Sequence, residues 1–494
     1  MKRDVSKNTI SRYLIIYIFI FTTQSVLTQT PINVIQSNHL EQIIINDTIF
    51  QKFSGNVILE YSDLKIQCDT ILIDEHKVLM QGWGNTNISN DTINCKTDSV
   101  NILQFENKIV FYQNTILETD SMIIYSDELE YDYKEKILEY FNRGSIQLSQ
   151  KNITSQKFQY NLHTNISKFN TEVYLQSPDY NIETESMTKN KDLINFSGKT
   201  SINNDEYNID CNQGFLQEST LLELSEGLVV KLEDKTIQSQ NLTRDLKNKK
   251  NYFTKNVHIT IDNETHILGE NLIQVDSIST VTENCEIQLL TDKDSIFITG
   301  DTIEMNERSD NVDIIDNVVI TGKEIDGNCK KMEFISSYNT INMLTNPVLW
   351  FSNVQITGDT IILFRQNNQL DSIYIPSNPF IISPNDSLDY YNQIKGKFLE
   401  GKFKESKIEY VKVNRNGKMK YFDNNKDNGI IGINNIEAGN IKLFFNKKNN
   451  VKSVLCSEQI ESNYIEIDNS EKSQIKTTVL LLDGFKLLNR EKAQ

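Results

Sequence analysis

The sequence predicts an all-β protein made of short, repeated strands, and three observations carry the prediction. Alanine is almost missing: the 494 residues contain only Ala438 and Ala493. The apolar side chains are instead Ile, Leu, Val, Phe and Tyr, which suit a pleated, half-buried surface better than a helix. Second, polar and apolar residues alternate with period two. Val257, Ile259 and Ile261 fall on one face, and His258, Thr260 and Asp262 on the other. Leu129, Tyr131 and Tyr133 alternate likewise with Glu128, Glu130 and Asp132, as do Val354 and Ile356 with Gln355 and Thr357. Third, the apolar runs are short and separated by clusters of Asn, Asp, Gly and Ser, such as Asn85–Asn90 and Asn203–Asp205. Asn414–Gly417 reads as a hairpin turn between KIEYVKV and KMKYF.

Residues 1–28 read as an export signal. Lys2, Arg3, Lys7 and Arg12 precede the apolar run Tyr13–Phe21, and the polar stretch TTQSVLTQ follows. The run is too short for the ~20 residues a helix needs to cross a bilayer. Periplasmic export, with possible association with inner and outer membranes, is the expected localisation. The whole chain carries 50 basic and 67 acidic side chains, a net of −17. Without residues 1–28 the net is −20, because four basic groups and one acidic group leave with them. So acidic a chain repels phosphate backbones, which excludes nucleic acid as the expected partner. The six cysteines (Cys68, Cys95, Cys211, Cys285, Cys329, Cys456) are scattered, with no C-x-x-C spacing, and read as small buried residues, with one incidental disulfide in an oxidising compartment as the alternative.

A small unit recurs along the chain: Asp, then Thr or Ser, then an apolar residue. The gaps from Asp47 to Asp69, Asp69 to Asp91 and Asp98 to Asp120 are each 22 residues, which suggests one hairpin per repeat in a stacked array. Soft boundaries are expected near Ser277–Asn284 and in the proline-bearing stretch 376–389. The organisation read from these is a signal at 1–28 and repeat segments at 29–280, 281–388 and 389–494.

Motifs for chemistry are missing. The five histidines show neither H-E-x-x-H nor i, i+4 spacing, no G-x-S-x-G elbow exists, and Gly198-Lys199-Thr200 lacks the first glycine of a P-loop. No catalytic residue, metal or cofactor is expected. Two charge features stand out: residues 395–420 hold nine Lys or Arg against three Glu, and a second cluster joins Arg244, Lys247, Lys249, Lys250 and Lys255. Both are ordinary solvated edges, or contacts for anionic head groups or an acidic partner rim.

Several segments resemble the OstA-like (organic-solvent-tolerance) family of lipopolysaccharide-transport proteins, in its long, multi-repeat version. FSGNVILEYSDLKIQCDTILID (53–74) has the family's G-N-V strand followed by an Asp-containing turn, and TDSMIIY (119–125) repeats the second part. TNPVLWFSNVQITGDTIIL (345–363), YNQIKGKFLEGKF (391–403) and LDGFKLL (482–488) resemble the long version more specifically. The resemblance implies stacked antiparallel β-jellyroll (β-taco) repeats forming an elongated open trough. It implies a non-enzymatic protein that shields lipid A acyl chains during transport from the inner to the outer membrane. The trough-lining candidates are Val57, Leu59, Ile71, Ile73, Ile124, Val257, Ile259, Val354 and Ile356. Each could equally be ordinary core. Lys402, Lys404, Lys412 and Arg415 are the candidates for head-group or partner contact. The implied partners are lipopolysaccharide, other trough-type transport proteins joined through edge strands, an outer-membrane translocon, and a second copy of the chain.

Two other readings compete. The chain could be the soluble trough component of an outer-membrane translocon, although no run of lipid-facing strands follows the repeats. It could also be a secreted β-helical polysaccharide-binding or -processing protein, which would need a clustered acidic or aromatic face.

Overall fold

The computed structural model describes residues 32–490 except 77, 262–263, 291–294, 324, 367–368, 386–389, 405–406, 426–428, 447–450 and 468–479. The export-signal reading of 1–28 lies outside the described residues. The described elements are 36 β-strands and one single-turn 3-10 helix, Ser336–Tyr338. Strands pair antiparallel with their neighbours, so the all-β expectation holds. Two compact units form, Met1–Glu128 and Leu129–Gln494, dividing within the strand Ile123–Asp132. The strand Ile278–Leu290 runs across position 280, and position 388 lies outside the described residues.

The building block is a hairpin of strands about eleven residues long, each bent in its middle. Leu64–Asp74 and Leu79–Ser89 form one such hairpin. Many alternate strands bend through two consecutive left-handed residues, and Leu193–Asn203 through Gly198 alone. In the first unit these are Gly55–Asn56, Gly84–Asn85 and Gln113–Asn114, and the ladder register slips at each. The second unit repeats the device at Thr171–Glu172, Lys255–Asn256, Glu283–Asn284, Asp316–Asn317 and Arg415–Asn416, among others. Positive φ costs a side-chain-bearing residue roughly 1–2 kcal/mol, least for Asn, which explains the asparagines. Two such residues in a row turn the strand sharply, so each strand has an arm on either side of a corner.

At several corners the facing strand supplies a side chain that caps the bend. Asn85 Nδ2 donates to Asp69 Oδ2 at 2.8 Å and Asn114 Nδ2 to Asp98 Oδ2 at 2.7 Å. In the second unit Asn317 Nδ2 donates to Asp301 Oδ2 at 2.8 Å, and Gln156 Nε2 to Glu172 Oε2 at 2.7 Å. At Gly84, φ is +78° and a Cβ would sit 2.6 Å from the Asp69 carboxylate, so glycine fits there and little else does. The Gly-Asn-Val resemblance at 55–57 is therefore a corner followed by its first inward residue.

The corner corrects two sequence readings. Asn414–Gly417 is no hairpin turn: it is the corner inside one strand, Lys407–Asn425, both halves of which pair with Gly429–Phe445. The repeat is also longer than 22 residues, because the corner asparagines Asn56, Asn85 and Asn114 stand 29 apart. The Asp-Thr/Ser units mark two different places. Asp69, Asp98 and Asp301 lie at mid-strand bends, whereas Asp47, Asp120 and Asp276 lie at strand ends.

Inside the bends runs a column of small side chains. Cys68, Thr97 and Ser126 are buried in the first unit, and Ser155, Thr184, Cys211 and Cys329 in the second. Thr97 and Thr115 share a hydroxyl hydrogen bond of 3.0 Å, as do Thr184 and Thr200 at 2.8 Å. The six cysteines are free. Burial pushes the Cys68 and Cys329 thiols up to about 12 and those of Cys211 and Cys285 to about 11. They are inert packing residues.

From Ile325 onward each rung splits between two walls of the second unit. One wall runs through Val348–Phe351, Val354–Thr357, Phe380–Pro384 and Tyr391–Lys395, and the other through Thr340–Leu344, Thr360–Gln366, Gln369–Ile375 and Phe398–Lys404. The two meet face to face, with Phe351 and Phe403 ring centroids 5.2 Å apart. A strap, Leu480–Arg490, crosses the outside of the first wall. Gln393 Nε2 donates to Leu480 O at 3.0 Å while its Oε1 accepts from Leu482 N at 2.7 Å. Gln355 repeats this with Lys486 O and Leu488 N, both at 2.9 Å. Arg490 pairs with buried Asp326 and donates to Ser352 O at 2.8 Å.

Candidate functional site

All nine trough-lining candidates face inward, with 0 to 4 % of their surface exposed. In the first unit Val57 and Leu59 lie on one arm, opposite Cys68 and Ile66. Ile71 and Ile73 lie beyond the bend on the other arm, and Ile124 on the last strand of that unit. In the second unit Val257 and Ile259 follow a corner, while Val354 and Ile356 belong to the wall under the strap. Within the first unit the arrangement brings together aliphatic side chains from both arms. Among the described residues no group of three or more His, Cys, Asp or Glu is placed to hold a metal.

A cavity of about 10 Å³ opens between the walls of the second unit, lined by Val354, Ile381, Met419, Leu443 and Phe445 among others. That is room for about one water molecule, far too little for a fatty chain. In that part of the second unit hydrocarbon fits only where the walls part.

The four basic candidates do not converge on one point. Lys402 Nζ lies 2.6 Å from Asp371 Oδ1, whose carboxyl is held below its usual range by that ammonium and by Ser372. Lys412 Nζ lies 3.7 Å from Glu400. Arg415 forms the corner of its strand, its guanidinium 5.9 Å from the Phe398 ring centre. Lys404 is exposed at a strand end. Sequence reasoning missed the rings between them. Lys442 Nζ sits 3.6 Å above the Tyr410 ring centre and 4.9 Å from that of Phe444.

It also missed a histidine pair. His258 and His266 are eight residues apart, yet adjacent strands bring His258 Nε2 within 3.0 Å of His266 Nδ1, beside Thr260. Burial, then the neighbouring imidazole, lowers the His258 pKa.

A stack of cornered antiparallel rungs around an apolar interior defines a β-jellyroll. Comparison with known families agrees. The family described as OstA-like protein matches residues 29–185. The family described as LptA/(LptD N-terminal domain) LPS transport protein matches residues 236–369. No curated protein matches the chain. The chain belongs to the OstA-like lipopolysaccharide-transport family, and its role lies in lipopolysaccharide transport. Domains of this kind are typically periplasmic.

Proposed function

We propose that the chain is a non-enzymatic carrier that shields lipid A acyl chains between its walls on the way from the inner to the outer membrane. The observation that carries this reading is the predominance of inward apolar side chains on both arms in each unit, in a chain of this family. Loading requires the walls to separate. An acyl chain then replaces wall-to-wall hydrocarbon contacts with contacts of the same kind, so little packing is lost. The driving force comes from the lipid, which gains about 0.8 kcal/mol for each methylene removed from water. Lys402, Lys404, Lys412 and Arg415 remain outside, where anionic head groups would meet them.

Free edges support handover between proteins. Among the described residues, Ile32–Gln36 and His39–Ile45 pair with Thr48–Tyr61 alone, and Ile44 is 71 % exposed. In the second unit Val451–Ser457 and Glu461–Glu466 pair with Gly429–Phe445 alone. Such edges can add the strand of a second copy or of another trough-type protein, the translocon component included.

Photo-crosslinking tests the carrier reading. Probes at Val57, Ile259 and Ile356 should label lipopolysaccharide, whereas a probe at outward-facing Thr260 should not. Equal labelling at all four positions would overturn the interior assignment.

A further inference from the structure

The outer face of the second wall carries chemistry that the carrier reading leaves unused. Cross-strand register places Ser372, Lys402, Tyr410, Phe444 and Ser453 in one row. The next row holds Tyr374, Glu400, Lys412, Lys442 and Leu455. Their sequence neighbours Ile373, Leu399, Val411, Ile441 and Leu443 are buried, so both rows face outward. Rings and cations interleave across them. Tyr410 and Phe444 lie 6.3 Å apart with the Lys442 ammonium over both, and Tyr374 lies 6.3 Å from Phe398 beneath Arg415. Leu455 is 57 % exposed and Tyr374 36 %.

Charge decides what such a face attracts. Lys402, Lys404, Lys412, Lys442 and Arg415 stand against Asp371, Glu400 and Glu409, a positive excess in a chain of net charge −17. The ion pairs of Lys402 and Lys412 hold those ammonium groups in place without cancelling the excess. The other wall offers a contrast. Its outer groups lie under the strap, with Trp350 only 5 % exposed, while these aromatic rings have no such cover among the described residues. Ring faces pack against the apolar faces of sugar rings, and ammonium groups pair with phosphate.

We propose that this face binds the phosphorylated saccharide head of lipopolysaccharide: Lys442 swings off the Tyr410 and Phe444 rings to join Lys412 on phosphate, and the uncovered rings stack on sugar. The inference rests on the carrier reading for the identity of the lipid, and it separates the two halves of the ligand. Hydrocarbon goes to the interior, and the anionic sugar is held by the outside of one wall.

The test uses the full chain and two soluble probes: deacylated, phosphorylated core saccharide, and the same saccharide after phosphatase treatment. The first should bind saturably and weaken with salt. The second should bind at least about fivefold more weakly, since exposed charge-assisted contacts are individually modest. The K412Q/K442Q double variant should lose about five- to thirtyfold in affinity for the phosphorylated probe. A K247Q/K249Q variant in the other basic cluster should lose none. Equal binding of both probes, an unchanged K412Q/K442Q variant, or an equal loss in K247Q/K249Q would overturn the proposal. Interior crosslinking of intact lipopolysaccharide, read on the same variants, reports separately on the carrier reading: labelling that persists while saccharide binding is missing refutes this face alone.

Discussion

Replacing Gln355 and Gln393 together by leucine should release the strap. Leucine keeps most of the buried volume and removes every hydrogen bond these amides make to Leu480, Leu482, Lys486 and Leu488. Four bonds at a net of about 0.5–1.5 kcal/mol each give about 2–6 kcal/mol. The strap is half-exposed, so its freed backbone groups turn to water and the lower part of that range applies, about 2–4 kcal/mol. That shifts the docking equilibrium by roughly 30- to 1,000-fold. Trp350 is the reporter, because it lies in register between Asp326 and Gln355 on the covered face. The chain has two tryptophans, so the W83F background isolates its emission. Q355L/Q393L should move that emission to longer wavelength and speed hydrogen exchange at the Leu482 and Leu488 amides. If apolar contacts such as Phe485 against Phe380 and Tyr391 hold the strap instead, leucine will seat it at least as well. A Trp350 emission that stays put, with slow exchange at both amides, would refute the hydrogen-bond account.

Three further outcomes follow from the corners and the histidine pair. Gly269→Ala should destabilise the fold by about 1–3 kcal/mol in chemical denaturation, because its Cβ would stand 2.3 Å from Val281 Cγ1. Val281→Ala in the same chain should recover part of the loss. Asn114→Ala should cost about 1–2 kcal/mol, since alanine must hold φ near +51° without the bond to Asp98, and Asn114→Gly should cost measurably less. Equal losses would show that backbone strain is not what asparagine relieves there. Burial and His266 hold the His258 pKa below its ordinary value, so the unfolded chain takes up that proton first. This contribution to stability is present above the ordinary histidine pKa and is lost as pH falls through the lowered one, so H258Q should flatten the fall in thermal stability as pH drops below about 6.5.

The strand class was legible because scarce alanine and period-two alternation both report pleated structure directly. The inward face was legible for the same reason: one buried side chain in two, as at Val57 and Leu59, is a local pattern. The corner was not, because its two residues change identity from Gly-Asn to Lys-Asn to Thr-Glu, and only backbone geometry unites them. A signal existed in the 29-residue spacing of Asn56, Asn85 and Asn114, masked by Asp-Thr/Ser units that occupy both bends and strand ends. The histidine pair and the ring-and-cation face depend on register between strands, which a single sequence does not carry. The strap is a case of partial reading. LDGFKLL carried the family resemblance, but two glutamines more than eighty residues away determine where it docks.

The self-contained corner has an evolutionary corollary. Where a bend takes its cap from the strand beside it, as at Asn85, Asn114 and Asn317, a hairpin can be duplicated or deleted without redesigning those farther away. Length then becomes a variable that gene duplication can tune in steps of about 29 residues, the interval between Asn56 and Asn85.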